Sequence, residues 1–305
     1  MGRRAVVVGT RGSRLALAQT GLVVEALRAA HPEQRFEVRT VRTSGDRSQA
    51  ALSQIGGRGV FVIELEQALL AGEIDVAVHS LKDLPVAGTD GLVVAATPPR
   101  GDPRDVLFSR TGARLAELPP GATIGTGSPR RTCQVAALRP DLRIAEIRGN
   151  VDTRLRKVRQ GEYDGVVLAA AGLSRLGWLD QASEIFDYDA MLPAVGQGAL
   201  AVQIRAEDDE AGALVRTLDD PATRAAVTAE RALERRLGGG CHAAIGALAQ
   251  VSDGRLRLRG LVGRTSGELV RGEAYGSVEE SEDVGQRLAQ ELLARGAAAL
   301  LGGGL

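Results

Sequence analysis

The sequence predicts an α/β protein of three domains: a first α/β lobe at 1–98 and 199–218, a second α/β lobe at 99–198, and a small α+β domain at 219–305. Three observations lead there. Apolar strands alternate with helical patterns until Asp220-Pro221. Two strings recur: the strand and Ser/Arg helix entry at Ala5–Arg14 returns at Ala122–Arg131, and Gly72-Glu73-Ile74-Asp75-Val76 returns as Gly161-Glu162-Tyr163-Asp164-Gly165. Two alike lobes in one chain imply a cleft between them. After Cys241 the pattern changes to alternation around a Ser252-Asp253-Gly254 turn, which marks antiparallel strands.

Taken in order, Ala5–Gly9 is an apolar strand, and Thr10–Arg14 turns into a helix. Its apolar stripe is Leu15, Ala18, Leu22 and Ala26, widened by Val23 and Leu27 and ended by His31-Pro32. A Ser/Gly turn at a helix start gathers free N–H groups and the positive end of the helix dipole, so Arg11 and Ser13 stand at a candidate anion site. A plain N-cap by Ser13 is the simpler reading of the same residues. Phe36–Val41 alternates as a strand, Gly45–Gly59 is a polar, glycine-punctuated loop, and Val60–Ala71 is helical. The buried strand Ile74–Val78 runs into His79-Ser80-Leu81-Lys82-Asp83. Polar residues massed at the carboxyl end of a buried strand are where open α/β sheets bind ligands. Asp83 beside Lys82 reads either as a carboxylate that accepts hydrogen bonds or moves protons, or as a salt-bridged turn before Pro85.

In the second lobe the strand Ala122–Thr126 enters a helix through Gly127-Ser128-Pro129-Arg130-Arg131. Arg148-Gly149-Asn150 and Arg154 surround a helix start at Asp152-Thr153, and Arg175 follows the strand Val166–Ala170. Such a set of planar guanidinium forks suits a small substrate with several carboxylates. The glycines of Leu192–Leu200 read as a hinge between lobes. Asp220 caps and Pro221 opens a helix to Leu237, burying Ala226, Ala229, Leu233 and Leu237. Strands Ile245–Val251, Leu256–Val262 and Leu269–Tyr275 follow, then a helix near Glu282–Arg295 with Val284, Leu288 and Leu292 inward.

Composition narrows the function classes. Formal net charge is zero and aromatics make up 3%, which speaks against nucleic acid or a membrane surface as partner. There is no apolar leader with a cleavage site and no apolar run long enough to span a bilayer, so a cytoplasmic protein is expected. Two cysteines, Cys133 and Cys241, make neither a disulfide framework nor a Cys-rich metal site, and three scattered histidines show no ligand spacing, so no metal is expected. Cys133 reads as core. Cys241 sits in Leu237-Gly238-Gly239-Gly240-Cys241-His242, where a thiol on a glycine run is open to covalent chemistry, or is a small buried residue past a helix C-cap. An anion-binding protein and a thiol hydrolase using Cys241 with His242 remain alternatives at this level.

The motifs taken together resemble the porphobilinogen deaminase (hydroxymethylbilane synthase) family. They are Thr10-Arg11-Gly12-Ser13 with Gln19; Gly56-Gly57-Arg58-Gly59-Val60-Phe61; His79-Ser80-Leu81-Lys82-Asp83; Asp102-Pro103-Arg104-Asp105; Ser128 with Arg130-Arg131; Arg148-Gly149-Asn150-Val151 with Thr153-Arg154; Pro193–Gly198; and Ala229-Glu230-Arg231 leading to Gly240-Cys241. The resemblance implies that the two lobes are like type II periplasmic binding proteins and that a dipyrromethane cofactor is held by thioether to Cys241. Four porphobilinogens are then joined head to tail with loss of ammonia, and water releases hydroxymethylbilane. It implies Asp83 as catalytic carboxylate, and Lys82, Asp83, Ser128, Arg130, Arg131, Arg154 and Gln197 as cofactor-binding residues. It implies Arg11, Ser13, Gln19, Phe61, Ser80, Arg148, Asn150 and Arg175 as substrate-binding residues, and a monomer. Departures from the family pattern stand at Gln54 and Arg58, where lysines are common, at Gly127 and Pro129 around Ser128, and at Ala244, where a proline is common.

Overall fold

The computed structural model describes residues 4–41, 62–238 and 243–301. The loop expected at Gly45–Gly59, with Gln54 and Arg58, lies outside the described residues, as do Phe61, Cys241 and His242. In chain order the strands are β1 (Val6–Thr10), β2 (Phe36–Thr40), β3 (Val76–Ser80), β4 (Leu92–Ala96), β5 (Asp105–Ser109), β6 (Thr123–Gly125), β7 (Arg143–Ala145), β8 (Gly165–Ala169), β9 (Glu184–Ile185), β10 (Leu200–Arg205), β11 (Ala244–Ser252), β12 (Arg255–Gly263) and β13 (Leu269–Ser277). The α-helices are α1 (Arg14–Ala30), α2 (Ile63–Leu70), α3 (Pro129–Leu138), α4 (Val151–Arg159), α5 (Ala170–Arg175), α6 (Asp209–Val215), α7 (Pro221–Leu237), α8 (Ser281–Leu292) and α9 (Ala298–Leu301). The chain divides into two compact units, Met1–Arg100 with Ala199–Arg224, and Gly101–Gly198 with Ala225–Leu305.

The first unit is built on a sheet of order β2-β1-β3-β10-β4. β1 is parallel to β2 and β3, while β10 is antiparallel to β3 and β4. Apolar side chains are buried on both faces. Val8, Val76, Val78 and Val202 pack with α1, and Ala77 and Ile74 pack with Leu65 and Leu69 of α2. That two-sided burial is why the strands read as unbroken apolar runs. α1 departs from expectation. Its buried face is Gln19, Thr20, Val23, Val24 and Leu27, and Leu22 is 50% exposed. The wide apolar stripe leaves the rotation free, and the polar bond from Gln19 toward β3 fixes it.

The second unit contains a sheet of the same order and sense, β7-β6-β8-β5-β9, with β6 parallel to β7 and β8, and β5 antiparallel to β8 and β9. The repeat read from sequence extends to single hydrogen bonds. Asp75 accepts from the Val7 amide at 2.8 Å, and Asp164 accepts from the Thr123 amide at 2.8 Å. Each of these carboxylates also meets an arginine from the end of the antiparallel strand, Arg205 for Asp75 and Arg110 for Asp164. The two Gly-Glu-x-Asp strings thus close the parallel sheets at equivalent corners.

The same unit carries a three-stranded antiparallel meander, β11-β12-β13. Its hairpin turns through Asp253 and Gly254 with both φ positive, as a tight two-residue connection demands. One face of this sheet packs Ala247 and Leu258 against Ala229 and Leu233 of α7 and Val284, Leu288 and Leu292 of α8. Gly285 lets α8 lie directly on α7, since a Cβ there would stand 2.3 Å from the Ala229 carbonyl oxygen. Mixed α/β sheets and a small α+β element follow the sequence reading. β4, β5, β7 and β9 are additions to it: β4 and β5 are apolar runs between turn residues, and β7 and β9 are only three and two residues long, too short to show a pattern.

Candidate functional site

In the first unit the carboxyl ends of the neighbouring strands β1 and β3 lie at one edge of the sheet. β1 ends at Thr10, whose hydroxyl donates to the Ala16 carbonyl at 3.2 Å, and the chain turns through Arg11 to Ser13. Ser13 is the N-cap of α1 and accepts from the Ala16 amide at 3.3 Å, so the plain capping role is present. β3 ends at Ser80, and a single 3₁₀ turn, Leu81–Asp83, presents Lys82 and Asp83, both half-buried. Leu81 is fixed below them by its amide, which donates to the Ala199 carbonyl at 3.0 Å. Gln19 Nε2 donates to Ser80 Oγ at 2.9 Å and ties the two strand ends together. Arg11, Ser13, Gln19, Ser80, Lys82 and Asp83 therefore share one edge. Behind them His79 is buried at 5% exposure, and burial holds its pKa down to about 4 although the neighbouring Gln203 side chain favours the charged ring, so it is neutral.

In the second unit the equivalent edge gathers the arginines. β6 ends at Gly125, and Ser128 and Pro129 lead into α3, whose first turn carries Arg130 and Arg131. Both guanidinium groups are buried, at 3% and 7% exposure, and both converge on Asp105, which is fully buried. Arg130 Nη1 donates to Asp105 Oδ2 at 2.6 Å and to the Leu192 carbonyl at 2.8 Å. Arg131 donates to Asp105 Oδ1 through Nη2 at 2.7 Å and Nε at 3.0 Å, and to the Val167 carbonyl through Nη1 at 2.8 Å. Gln197 Nε2 adds a bond to Asp105 Oδ1 at 3.1 Å and one to the Pro103 carbonyl at 2.7 Å. Burial alone would raise the Asp105 pKa, and the two arginine charges outweigh it and hold the carboxyl at about 2. Burial in turn pulls Arg131 down.

Two cations share one anion here. The trio carries a net positive charge in a low-dielectric setting, at the start of a helix whose dipole has the same sign. The Arg130 Nε–H is buried with no hydrogen-bond partner among the described residues. A buried polar group in that state is costly unless a ligand satisfies it.

In the same unit Asn150 caps α4 by accepting from the Thr153 amide at 3.1 Å, so the helix begins at Val151, one residue before the start expected at Asp152-Thr153. Arg154 Nε donates to the Gly149 carbonyl at 2.8 Å, and Arg148 pairs with Glu146. Arg175, at the end of α5, donates to the Gly198 carbonyl at 2.6 Å, and burial lowers its pKa. Among the described residues no carboxylate forms an ion pair with Arg175. The Pro193–Gly198 segment, expected to bend, is fastened at several points. The Gly196 amide donates to Glu230 Oε2 at 2.7 Å, Glu230 Oε1 accepts from the Ala249 amide at 2.8 Å, and Gln197 is held as above. Gly198 has φ +89°, and a Cβ there would stand 2.5 Å from the Gly101 carbonyl oxygen, so only glycine fits. Asp105 and Glu230 are the functional neighbourhoods' buried carboxylates that the sequence reading quotes in motifs but gives no role. Their signal was an acid next to a single arginine, Arg104-Asp105 and Glu230-Arg231, without any local mark of the long-range partner.

Cys133 is free and fully buried in α3. Its Sγ lies 3.1 Å from the Arg130 carbonyl, and burial pushes its thiol up to about 11. Among the described residues no helix is long and apolar enough to cross a membrane.

Comparison with known proteins accords with this geometry. Residues 6–213 match the family model described as porphobilinogen deaminase, dipyromethane cofactor binding domain, and residues 224–294 match that described as porphobilinogen deaminase, C-terminal domain. Porphobilinogen deaminase of Roseiflexus castenholzii is 50% identical over 302 residues, 99% of this chain and 100% of that one. That of Desulforudis audaxviator is 52% identical over 301 residues, 98% of this chain and 97% of the other. That of Thermus thermophilus is 50% identical over 300 residues, 98% of each chain. Two family models covering most of the sequence, and relatives alike from end to end, lead to one conclusion: the chain belongs to the porphobilinogen deaminase family.

Proposed function

We propose that this chain joins four porphobilinogen molecules head to tail on a dipyrromethane attached through Cys241, releasing ammonia at each addition and hydroxymethylbilane at the end. The observation that carries the reading is the buried Arg130–Arg131 pair with its single counter-ion. Each pyrrole of the cofactor and of the substrate brings an acetate and a propionate, and a site with a buried surplus of guanidinium charge and an unspent Arg130 Nε–H fits such a group. The dipyrromethane, when bound, supplies the free pyrrole α-carbon onto which the product grows.

This chain's own residues do the rest. Arg130, Arg131 and Arg154, with Ser128, Gln197 and Lys82, hold the cofactor. Arg11, Arg148 and Arg175, with Ser13, Gln19, Phe61, Ser80 and Asn150, hold the incoming substrate. Arg175, whose guanidinium has a backbone carbonyl rather than a carboxylate as its partner among the described residues, keeps its charge for a ligand. Asp83, on a tight turn at the end of β3, offers a carboxylate to the pyrrole N–H groups where positive charge develops, and takes and returns a proton there. The neutral His79 behind it adds no competing cation.

The sealed Cys133 supports attachment at Cys241. The sequence has two cysteines, and one of them has neither exposure nor thiolate character. The reading also has the protein acting as a cytoplasmic monomer with a small-molecule substrate and without nucleic acid or membrane partners. Its domains are 1–98 with 199–218, 99–198, and 219–305. The test is turnover of porphobilinogen, followed as ammonia released and as absorbance of the oxidised tetrapyrrole. Asp83→Asn is expected to lose about 10²–10⁴-fold in turnover with an unchanged melting temperature. Turnover within a few-fold of the parent would remove Asp83 from the chemistry.

A further inference from the structure

The structure assigns to Asp105 a role of its own: it is the positioning residue of the cofactor pocket, aligning the Arg130 and Arg131 guanidinium planes and cancelling one of their two charges, so that the pair takes up an anionic group in a single orientation. The inference rests on the cofactor reading above and deepens it.

The carboxylate sits at the first residue of β5, opposite Ala169 at the end of β8, and is fully buried. Its two oxygens accept from four nitrogens of the two guanidinium groups, at 2.6, 2.7, 3.0 and 3.3 Å, and from Gln197 Nε2 at 3.1 Å. A guanidinium is a rigid planar fork with five N–H donors, so fixing two of them on one carboxylate fixes the direction in which the remaining donors point. The backbone carbonyls of Leu192 and Val167 lock a further donor on each arginine. The donors left over include the buried Arg130 Nε–H.

The charge count makes the same point. Without Asp105, two cations would be buried side by side, and their mutual repulsion would open the pair or draw in whatever anion is present. With a second carboxylate, the cluster would be neutral and would lose its net attraction for an anion. One carboxylate against two arginines leaves a single preorganised positive charge. Gln197 extends the arrangement to the Pro193–Gly198 segment, whose neighbour Gly196 is held by Glu230. The pair is thereby oriented relative to two separate stretches of backbone.

The test uses full-length apo-protein, produced in a host that makes no porphobilinogen, and follows intact mass over time after porphobilinogen is added. Melting temperatures are measured in parallel, and uptake is recorded well below them. Asp105→Asn is expected to gain the dipyrromethane mass at least tenfold more slowly than the parent. Asp105→Glu keeps the charge and lengthens the arm, and is expected to melt nearer the parent while still gaining mass slowly, because its forks are displaced. A lowered melting temperature with mass gain at the parental rate, in either variant, would reduce Asp105 to a structural ion pair and overturn the inference. If Asp105→Asn does not fold, Asp105→Glu decides by the same criterion. A parent protein that gains no mass at all sinks the cofactor reading itself, a result distinct from parental-rate uptake by the variants.

Discussion

Acidification should loosen the first unit through one residue. His79 lies in the middle of the sheet, with its pKa lowered from 6.5 to about 4 chiefly by burial. A base whose folded pKa lies below its unfolded value binds more protons when unfolded. Its contribution to stability is therefore complete above about pH 6.5, declines as pH falls from there toward 4, and is constant below. The full shift corresponds to about 3 kcal/mol, and by pH 5 about 2 kcal/mol is already lost. The variant His79→Gln has no titrating ring and shares every other group with the parent. The difference in stability between the two proteins thus isolates the imidazole. Native-state hydrogen exchange of the β3 amides, read at pH 7, 6 and 5 and corrected for intrinsic rates, reports opening of this strand directly. The parent should lose about 2 kcal/mol relative to His79→Gln between pH 7 and pH 5. A difference that stays constant across that range would mean the ring is already protonated in the fold or remains hydrated, and the burial argument would fail.

Two further predictions concern the second unit, whose unfolding the single tryptophan, Trp178, reports by fluorescence. Gly285→Ala drives a methyl group to 2.3 Å from the Ala229 carbonyl oxygen and 2.6 Å from the Ala232 Cβ, and should cost about 3 kcal/mol in denaturant titration; a cost below ~0.5 kcal/mol would show that α7 and α8 do not touch at this point. Cys133→Ala removes a sealed thiol and should lower stability by about 1–2 kcal/mol while leaving uptake of the dipyrromethane mass intact. Loss of uptake in that folded variant would transfer the cofactor role to Cys133.

What the sequence made legible follows from how locally each feature is encoded. The Gly-Glu-x-Asp repeat was visible as a string, and it proved to be a repeated hydrogen-bond device because Asp75 and Asp164 meet amides near the start of strands already recognised as equivalent. The Asp220 cap, the α7 face and the Asp253-Gly254 turn were legible for the same reason, since capping and turn chemistry act over a few residues. The rotation of α1 was not, because a broad apolar stripe admits several orientations and the deciding contact, Gln19 to Ser80, spans much of the first unit's sequence. The candidate arginines could be named one by one. That Arg130 and Arg131 share Asp105, and that Gln197 faces the same carboxylate, depends on β5 running antiparallel beside β8, which no local pattern announces.

The central claim is that Cys241 carries a dipyrromethane on which the product is built. It is tested most directly by the intact mass of the freshly purified protein beside Cys241→Ser, with porphobilinogen added to both. The account predicts that the parent exceeds its sequence mass by one dipyrromethane, at once or after the addition, and that Cys241→Ser stays at its sequence mass. A parent that never gains this mass, or a serine variant that gains it equally, would contradict the account.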